Sequence, residues 1–184
     1  MKYITDNSRI LSREELSSPE EITNEIPLDK ESSKLIFGAR RSISQILHRQ
    51  DDRLVVVVGP CSIHDPKSAI EYAELLKEFS ATVENELMVV MRVYFEKPRT
   101  TIGWKGLIND PRIDNSFKIN EGLRVSRKLL KDIADLGMPT GTEFLDLISP
   151  QYVSDLVSWG AIGARTAESQ VHRESTSGLS CPTG

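Results

Sequence analysis

The chain predicts an α/β fold: the first four strands of a (β/α)8 TIM-type barrel, preceded by an N-terminal extension. Three observations carry this prediction. Strand-like and helix-like segments alternate along the 184 residues. Two of the strands, Leu54–Val58 and Leu87–Val93, are apolar on both faces, as strands are when helices cover a parallel sheet from each side. Each apolar run also stops near a thiol or a charged side chain, and strand ends are where sites form in parallel α/β folds. An open doubly wound sheet is the competing architecture. It would want a glycine-rich fingerprint after the first strand, and "GPCSIHDP" is not G-x-G-x-x-G, nor does a Walker A pattern occur.

Residues 1–34 are polar, charged and without clear periodicity, and read as an arm apart from the core. Residues 35–184 read as the first half of the barrel domain. From Lys34 to Arg49 the residues Leu35, Ile36, Ala39, Ile43, Ile46 and Leu47 recur at three and four, one face of an amphipathic helix. Leu54–Val58 is the first strand. A helix follows over about 67–83, with Ala69, Ile70, Ala73, Leu76, Phe79 and Val83 inward; Asp65-Pro66 supplies its cap and first-turn proline. After the second strand, a polar stretch runs from Tyr94 to about Asn120, and loops of that length are usually functional. The third long helix is expected over 122–136, stopping at Gly137. Pro139–Leu145 reads as a short strand, Gln151–Ser158 as a short helix and Gly160–Arg165 as the fourth strand.

Composition narrows the function. The net charge is −4 and no basic stripe occurs, which argues against nucleic acid as a partner. No apolar run approaches the roughly 20 residues needed to span a bilayer. "MKYITDNSRI" lacks the apolar region of a signal peptide, so the expected compartment is cytoplasmic, with no membrane partner. The two cysteines, Cys61 and Cys181, are too few for a disulfide framework.

The strand ends, taken in order, present Cys61, Arg92, Glu143 and Arg165. Arginine cannot be neutralised and is rarely buried without an anion, so Arg92 and Arg165 at one mouth imply an anion between them. The segment "YFEKPRTTIGWKG" adds Lys97, Arg99 and Lys105, with Thr100 and Thr101 as hydroxyl donors. That charge suits two phosphates, or a phosphate and a carboxylate. The plainer reading is an internal salt bridge from either arginine to Glu143 or Glu96. Cys61 admits three readings: a small buried hydrophobe, a metal ligand, or a nucleophile with His64 as its base. His48 and His172 read as surface or capping residues.

The segments "VVGPCSIHDP", "VMRVYFEKPRTTIGWKGLINDP" and "SWGAIGARTAESQVHRE" closely resemble the 3-deoxy-D-arabino-heptulosonate 7-phosphate (DAHP) synthases of the type regulated by aromatic amino acids. The resemblance runs from about Leu35 to the last residue, and more loosely through the arm. It implies the first step of the shikimate pathway, in which phosphoenolpyruvate and erythrose 4-phosphate condense, water adds and phosphate leaves. It further implies that Cys61 binds one divalent metal ion (manganese, iron, cobalt or zinc), with a histidine, a glutamate and an aspartate from later strands. Arg92, Lys97 and Arg165 would hold phosphoenolpyruvate, with Lys97 also catalytic, and Lys97-Pro98-Arg99-Thr100 would contact erythrose 4-phosphate. Glu143 matches an acidic residue near the site. A homo-oligomer, dimer or tetramer, is implied, with an aromatic amino acid as effector.

The family's members are longer than this chain, and three of the four metal ligands have no counterpart in it. The chain is therefore expected to be an N-terminal half that is inactive alone. Family members differ in effector near Pro150 and Gln151 and near Gly178–Cys181, including Leu179 and Ser180; "SPQY" with "SGLSCP" resembles the phenylalanine-sensitive form. The bland reading is that these residues connect helices. Two rival functions stand beside the synthase. One is the related 3-deoxy-octulosonate 8-phosphate synthase, which carries another motif where "KPRT" stands. The other is a non-catalytic half-barrel that binds anions or full-length subunits.

Overall fold

A computed structural model describes residues 3 and 5–184. Among these residues six α-helices and four strands occur in the order α1 (Pro19–Glu25), α2 (Lys30–Leu47), β1 (Leu54–Val58), α3 (Pro66–Thr82), β2 (Leu87–Arg92), α4 (Ile119–Asp135), β3 (Thr140–Phe144), α5 (Pro150–Val153), β4 (Trp159–Ile162) and α6 (Gln170–Gly178), with one 3-10 turn, Ser154–Leu156, after α5. The strands form one parallel sheet in sequence order, β1-β2-β3-β4, the half-barrel that the apolar strands predict. β1 and β2 pair over five residues, from Leu54↔Leu87 to Val58↔Met91. β3 and β4 pair over four, Gly141↔Trp159 to Phe144↔Ile162. Between β2 and β3 only Met91↔Thr140 and Arg92↔Gly141 are in register. Beyond β4, Pro182 and Gly184 accept from the amides of Gly160 and Ile162, so the chain's last residues lie along its outer edge.

The helices cover one face and build the core. Asp65 accepts from the amides of Lys67 and Ser68, which starts α3 as Asp-Pro predicts. α4 carries its apolar stripe inward through Leu123, Leu129, Leu130 and Ile133, all buried. It begins at Ile119, a turn before Gly122. Gly122 is required for another reason: a Cβ there would meet the Ile108 carbonyl oxygen at 2.1 Å. On the edge strand β1, Leu54 and Val58 remain exposed. Ile46, Leu47 and Phe79, expected inward, are half-buried or exposed.

Four expectations need correction. Residues 1–34 are not wholly apart from the core. Met1, Lys2 and Ile4 lie outside the described residues, but α1 is docked, with Ile22 at 0% exposure inside the core cluster. The Tyr152 hydroxyl donates to the Ser17 carbonyl, Arg124 pairs with Glu21 and Glu25, and Arg127 Nε donates to the Ile26 carbonyl. A seven-residue helix with one buried apolar residue has no period to detect. Second, α2 starts at Lys30, because Asp29 accepts from the Ser32 amide and caps it there. Third, the helix expected over 151–158 is one α-turn followed by a 3-10 turn. Fourth, β4 ends at Ile162, and Arg165 stands in the turn beyond it. α6 was not expected; its one large apolar residue, Val171, is exposed.

The long polar stretch is folded. An antiparallel bridge joins Glu96 to Gly106. The Lys97 amide donates to the Lys105 carbonyl at 2.9 Å, and the Leu107 amide to the Phe95 carbonyl at 2.6 Å. Phe95, Leu107 and Ile108 are buried beneath this loop, and the Trp104 indole donates to the Asp110 carbonyl. The loop thereby presents residues 97–105 outward on an anchored base.

Candidate functional site

The C-terminal ends of β1 and β2 hold the densest group of sequence-predicted residues. β1 runs into Gly59, where a Cβ would lie 2.6 Å from the Arg92 carbonyl oxygen. The missing side chain lets the two strand ends close on each other, which brings Cys61 over Arg92. The Ile63 amide donates to the Tyr94 carbonyl and fixes the turn there. Arg92 Nη2 donates to the Cys61 carbonyl at 3.3 Å. Its guanidinium lies over the Tyr94 ring, 3.9 Å from the centroid, a cation–π contact that holds the plane in one orientation. Arg92 Nε is buried with no protein partner among the described residues.

Lys97 completes the group, its ammonium donating to the Cys61 sulfur at 2.8 Å. Cys61 is exposed, so the buried-hydrophobe reading fails. The Lys97 hydrogen bond and charge, with Arg92 and Arg99 behind them, hold its thiol below the ordinary cysteine range. Pro98, Arg99 and Thr100 follow on the exposed crest of the loop. Glu143 is half-buried in β3, on the side of Tyr94 and Glu96, since its charge helps raise both of their pKa values. In Tyr94 the larger cause is burial.

The cations are not neutralised from within. The ion pairs of the described residues join Arg53, Arg112, Arg124, Arg127, Lys128 and Lys131 to carboxylates, and none involves Arg92, Lys97, Arg99, Lys105 or Arg165. The internal salt bridge predicted as the plain alternative is therefore absent among the described residues. Arg165 is exposed in its turn, and no hydrogen bond ties it to the Cys61–Arg92–Lys97 group in this structure.

No metal centre is assembled among the described residues. Cys61 offers one soft thiolate donor, the right chemistry for a divalent transition ion, but no group of three or more His, Cys, Asp or Glu suited to a metal occurs among the described residues. His64 is exposed, without a hydrogen bond to the Cys61 sulfur. His172 bridges Ser169 Oγ and the Leu145 carbonyl, a helix-start contact, and His48 Nδ1 meets the Ser44 carbonyl at the end of α2. The four residues expected at an effector site separate. Pro150 is buried in the first turn of α5, Gln151 is exposed and Leu179 packs half-buried on the core. Ser180 edges a cleft of about 300 Å³ with Phe37, Arg40 and Asp155, whose walls do not include Pro150 or Gln151.

Two contributors take roles that were not foreseen, Glu96 having been expected only as an ion-pair partner of an arginine. Tyr94 serves as the platform for Arg92, and a tyrosine two residues beyond a strand-end arginine was the signal for it. Glu96 is the other, next to Lys97 but directed away from it. Burial first, then the Asp146 and Glu143 charges, push its carboxyl up to about 7 against a lowering hydrogen bond from Asn109.

Comparison with known proteins adds to this geometry. The sequence pattern described as the DAHP synthetase I family matches residues 25–184. Over 184 residues, all of this chain and 53% of the relative, the sequence is 58% identical to the Phe-sensitive phospho-2-dehydro-3-deoxyheptonate aldolase of Escherichia coli K12. It is 59% identical over 169 residues to the phospho-2-dehydro-3-deoxyheptonate aldolase of Amycolatopsis methanolica, covering 92% of this chain and 83% of that one. The solved structure of the Francisella tularensis SCHU S4 aldolase superimposes with a TM-score of 0.92 at 56% identity, covering 95% of this chain and 51% of that one. The chain thus spans about half the length of the Escherichia coli and Francisella proteins.

Proposed function

Because the chain belongs to the DAHP synthetase I family, we propose that it carries the phosphoenolpyruvate-binding half of a DAHP synthase site. The reaction joins C3 of phosphoenolpyruvate to the aldehyde carbon of erythrose 4-phosphate; water adds at C2, and inorganic phosphate leaves with the C2 oxygen bond cleaved. The observation that supports this reading best is the set of cations around Cys61 without an internal counter-anion. Two phosphorylated substrates repel one another, and fixed cations offset that repulsion while setting the reacting carbons in line.

The roles follow from placement. Arg92, held flat on Tyr94, offers its free edge to the phosphoenolpyruvate carboxylate or phosphate. Lys97 faces the same mouth and is placed to donate to the enol phosphate oxygen as C3 attacks. Arg99 and Thr100, with Pro98 fixing the turn, take the erythrose 4-phosphate phosphate. Arg165, exposed in its turn beyond β4, would join the first group around an anion, and Glu143 would stand beside it at the strand ends. A divalent metal, when bound, would supply Lewis-acid polarisation of the aldehyde, and Cys61 is the one donor proposed for it from this chain. An aromatic amino acid is the proposed effector, as the Phe-sensitive Escherichia coli relative suggests, and the proposed assembly is a homo-oligomer.

In a complete synthase carrying this sequence, Arg92→Ala should cost about 2–4 kcal/mol of transition-state binding, roughly 30- to 700-fold in kcat/KM for phosphoenolpyruvate. Arg99→Ala should act on the erythrose 4-phosphate constant instead. Unchanged kinetics for phosphoenolpyruvate in Arg92→Ala would refute the assignment.

A further inference from the structure

On its inner side, the loop that carries Lys97 and Arg99 faces a cleft walled by two acids. Glu96 points away from the cations into a cleft of about 230 Å³, whose walls include Asn109, Asp146, Ser149 and Tyr152. Asp146 faces the same cleft, and its charge and hydrogen bonding help raise the Glu96 carboxyl. Asp146 belongs to the turn between β3 and α5, and its Oδ1 accepts from the Ile148 amide at 2.5 Å and the Ser149 amide at 2.7 Å. Two carboxyl groups facing one small cleft cannot both be charged without strong repulsion; a shared proton turns that repulsion into a hydrogen bond.

We propose that Glu96 is the positioning residue of the cationic loop: its carboxyl donates a shared proton to Asp146 and so clamps the Lys97–Thr100 segment to the turn that starts α5. The proton resides on Glu96 because Asp146 already accepts from two backbone amides, whereas Glu96 accepts only from Asn109 Nδ2, at 3.1 Å. The other groups facing Glu96 agree. Glu143 on β3 adds a second negative charge that disfavours ionisation. The Tyr152 hydroxyl in the same cleft is engaged with the Ser17 carbonyl and is not free to donate. Burial and these charges keep the Glu96 acid neutral up to about pH 7. The sign follows: below that value the clamp is closed, and as pH rises through it Glu96 ionises, the two acids repel and the loop loosens. Glu96 touches neither substrate in this arrangement; it acts through the backbone that holds Lys97 and Arg99. The significance of the clamp for catalysis rests on the site reading above, but its existence does not.

The test is hydrogen exchange by mass spectrometry on a complete synthase carrying this sequence, from pH 5.5 to 8.5, corrected for intrinsic exchange. The Lys97 and Leu107 amides report the loop, and the β1–β2 ladder serves as control. With a free glutamate near 4.5 and a clamped one near 7, the loop's opening constant should rise about tenfold between pH 6 and 8 while the control stays flat. Glu96→Gln keeps the size, accepts from Asn109 and donates to Asp146 without a titrating proton. It should hold the loop closed across the whole range, whereas Glu96→Ala should leave it open throughout. A flat wild-type profile, or a Glu96→Gln loop that responds to pH like the wild type, would overturn the clamp. Protection of the loop by added phosphoenolpyruvate, read in the same experiment, tests the substrate assignment separately. Its absence beside an intact pH response would refute that assignment and leave the clamp standing.

Discussion

The Lys97 ammonium lies 2.8 Å from the Cys61 sulfur, and this contact separates the protein's two cysteines chemically. Cys61 is exposed, with its thiol held toward the thiolate; Cys181 is buried, and burial pushes its thiol the other way. Reactivity follows the thiolate. At pH 7 iodoacetamide should therefore label Cys61 well before Cys181, and Lys97→Met should slow Cys61 labelling by roughly three- to tenfold. Peptide mass spectrometry reads both rates, and an unchanged rate in Lys97→Met would show that the ammonium does not tune the sulfur. This part of the site was legible in the sequence, because Cys61, Arg92 and Lys97 sit where apolar strands end. Tyr94 and Glu96 were not. The role of each depends on a partner's position: the Arg92 guanidinium plane for one, and for the other Asp146, fifty residues along the chain.

The elements are tied to one another by charged side chains, and this too was hidden from a periodicity argument. Arg127 sits in the middle of α4 with its side chain at 0% exposure, paired with Asp155 at 2.7 Å and donating to the carbonyls of Ile26 and Tyr152. One guanidinium thus joins the end of α1, α4 and the turn after α5. Arg127→Ala would strand an acid and two carbonyls, so urea denaturation should show a loss of about 3–5 kcal/mol. A loss below 1 kcal/mol would mean that the arm and α5 hold without it. At the start of α2, Asp29 caps the helix and meets Lys131 of α4 at 2.5 Å. The Lys131 hydrogen bond, followed by the Ser32 amide, lowers its carboxyl to about 2. A lowered acid stabilises the fold above its unfolded value and loses that contribution as pH falls through the folded one. The wild type should therefore lose more stability than Asp29→Ala between about pH 4 and pH 2, and parallel thermal melts of the two would show it. Long helices were readable because a 3.6-residue pattern marks them, and both apolar strands because each is a short unbroken apolar run; α1, with Ile22 alone, has nothing to repeat.

For the molecule as a whole, the sheet's outer edges are its exposed feature. Among the described residues β1 pairs only with β2, and the edge of β4 is covered only by Pro182–Gly184. Leu54 and Val58 stand exposed on the edge strand β1. Unpaired strands beside apolar surface drive association. Residues 1–184 expressed alone should sediment as oligomers or aggregates, and DAHP formation with added manganese should stay at background. A monodisperse monomer would defeat the first expectation, and turnover the second. The strand order has a kinetic consequence as well. Each strand's partner is its immediate predecessor, but the intervals differ: 33 residues from Leu54 to Leu87, 49 from Met91 to Thr140 and 18 from Gly141 to Trp159. Closing the middle interval costs about 0.9 kcal/mol more chain entropy than closing the last, and it is repaid by two register pairs where the others have five and four. Folding should therefore zip two ribbons early, β1 with β2 and β3 with β4, so that Cys61, Arg92 and Lys97 meet first; Glu143 and Arg165 come beside them only when the slowest closure joins the ribbons at the seam beside Arg92.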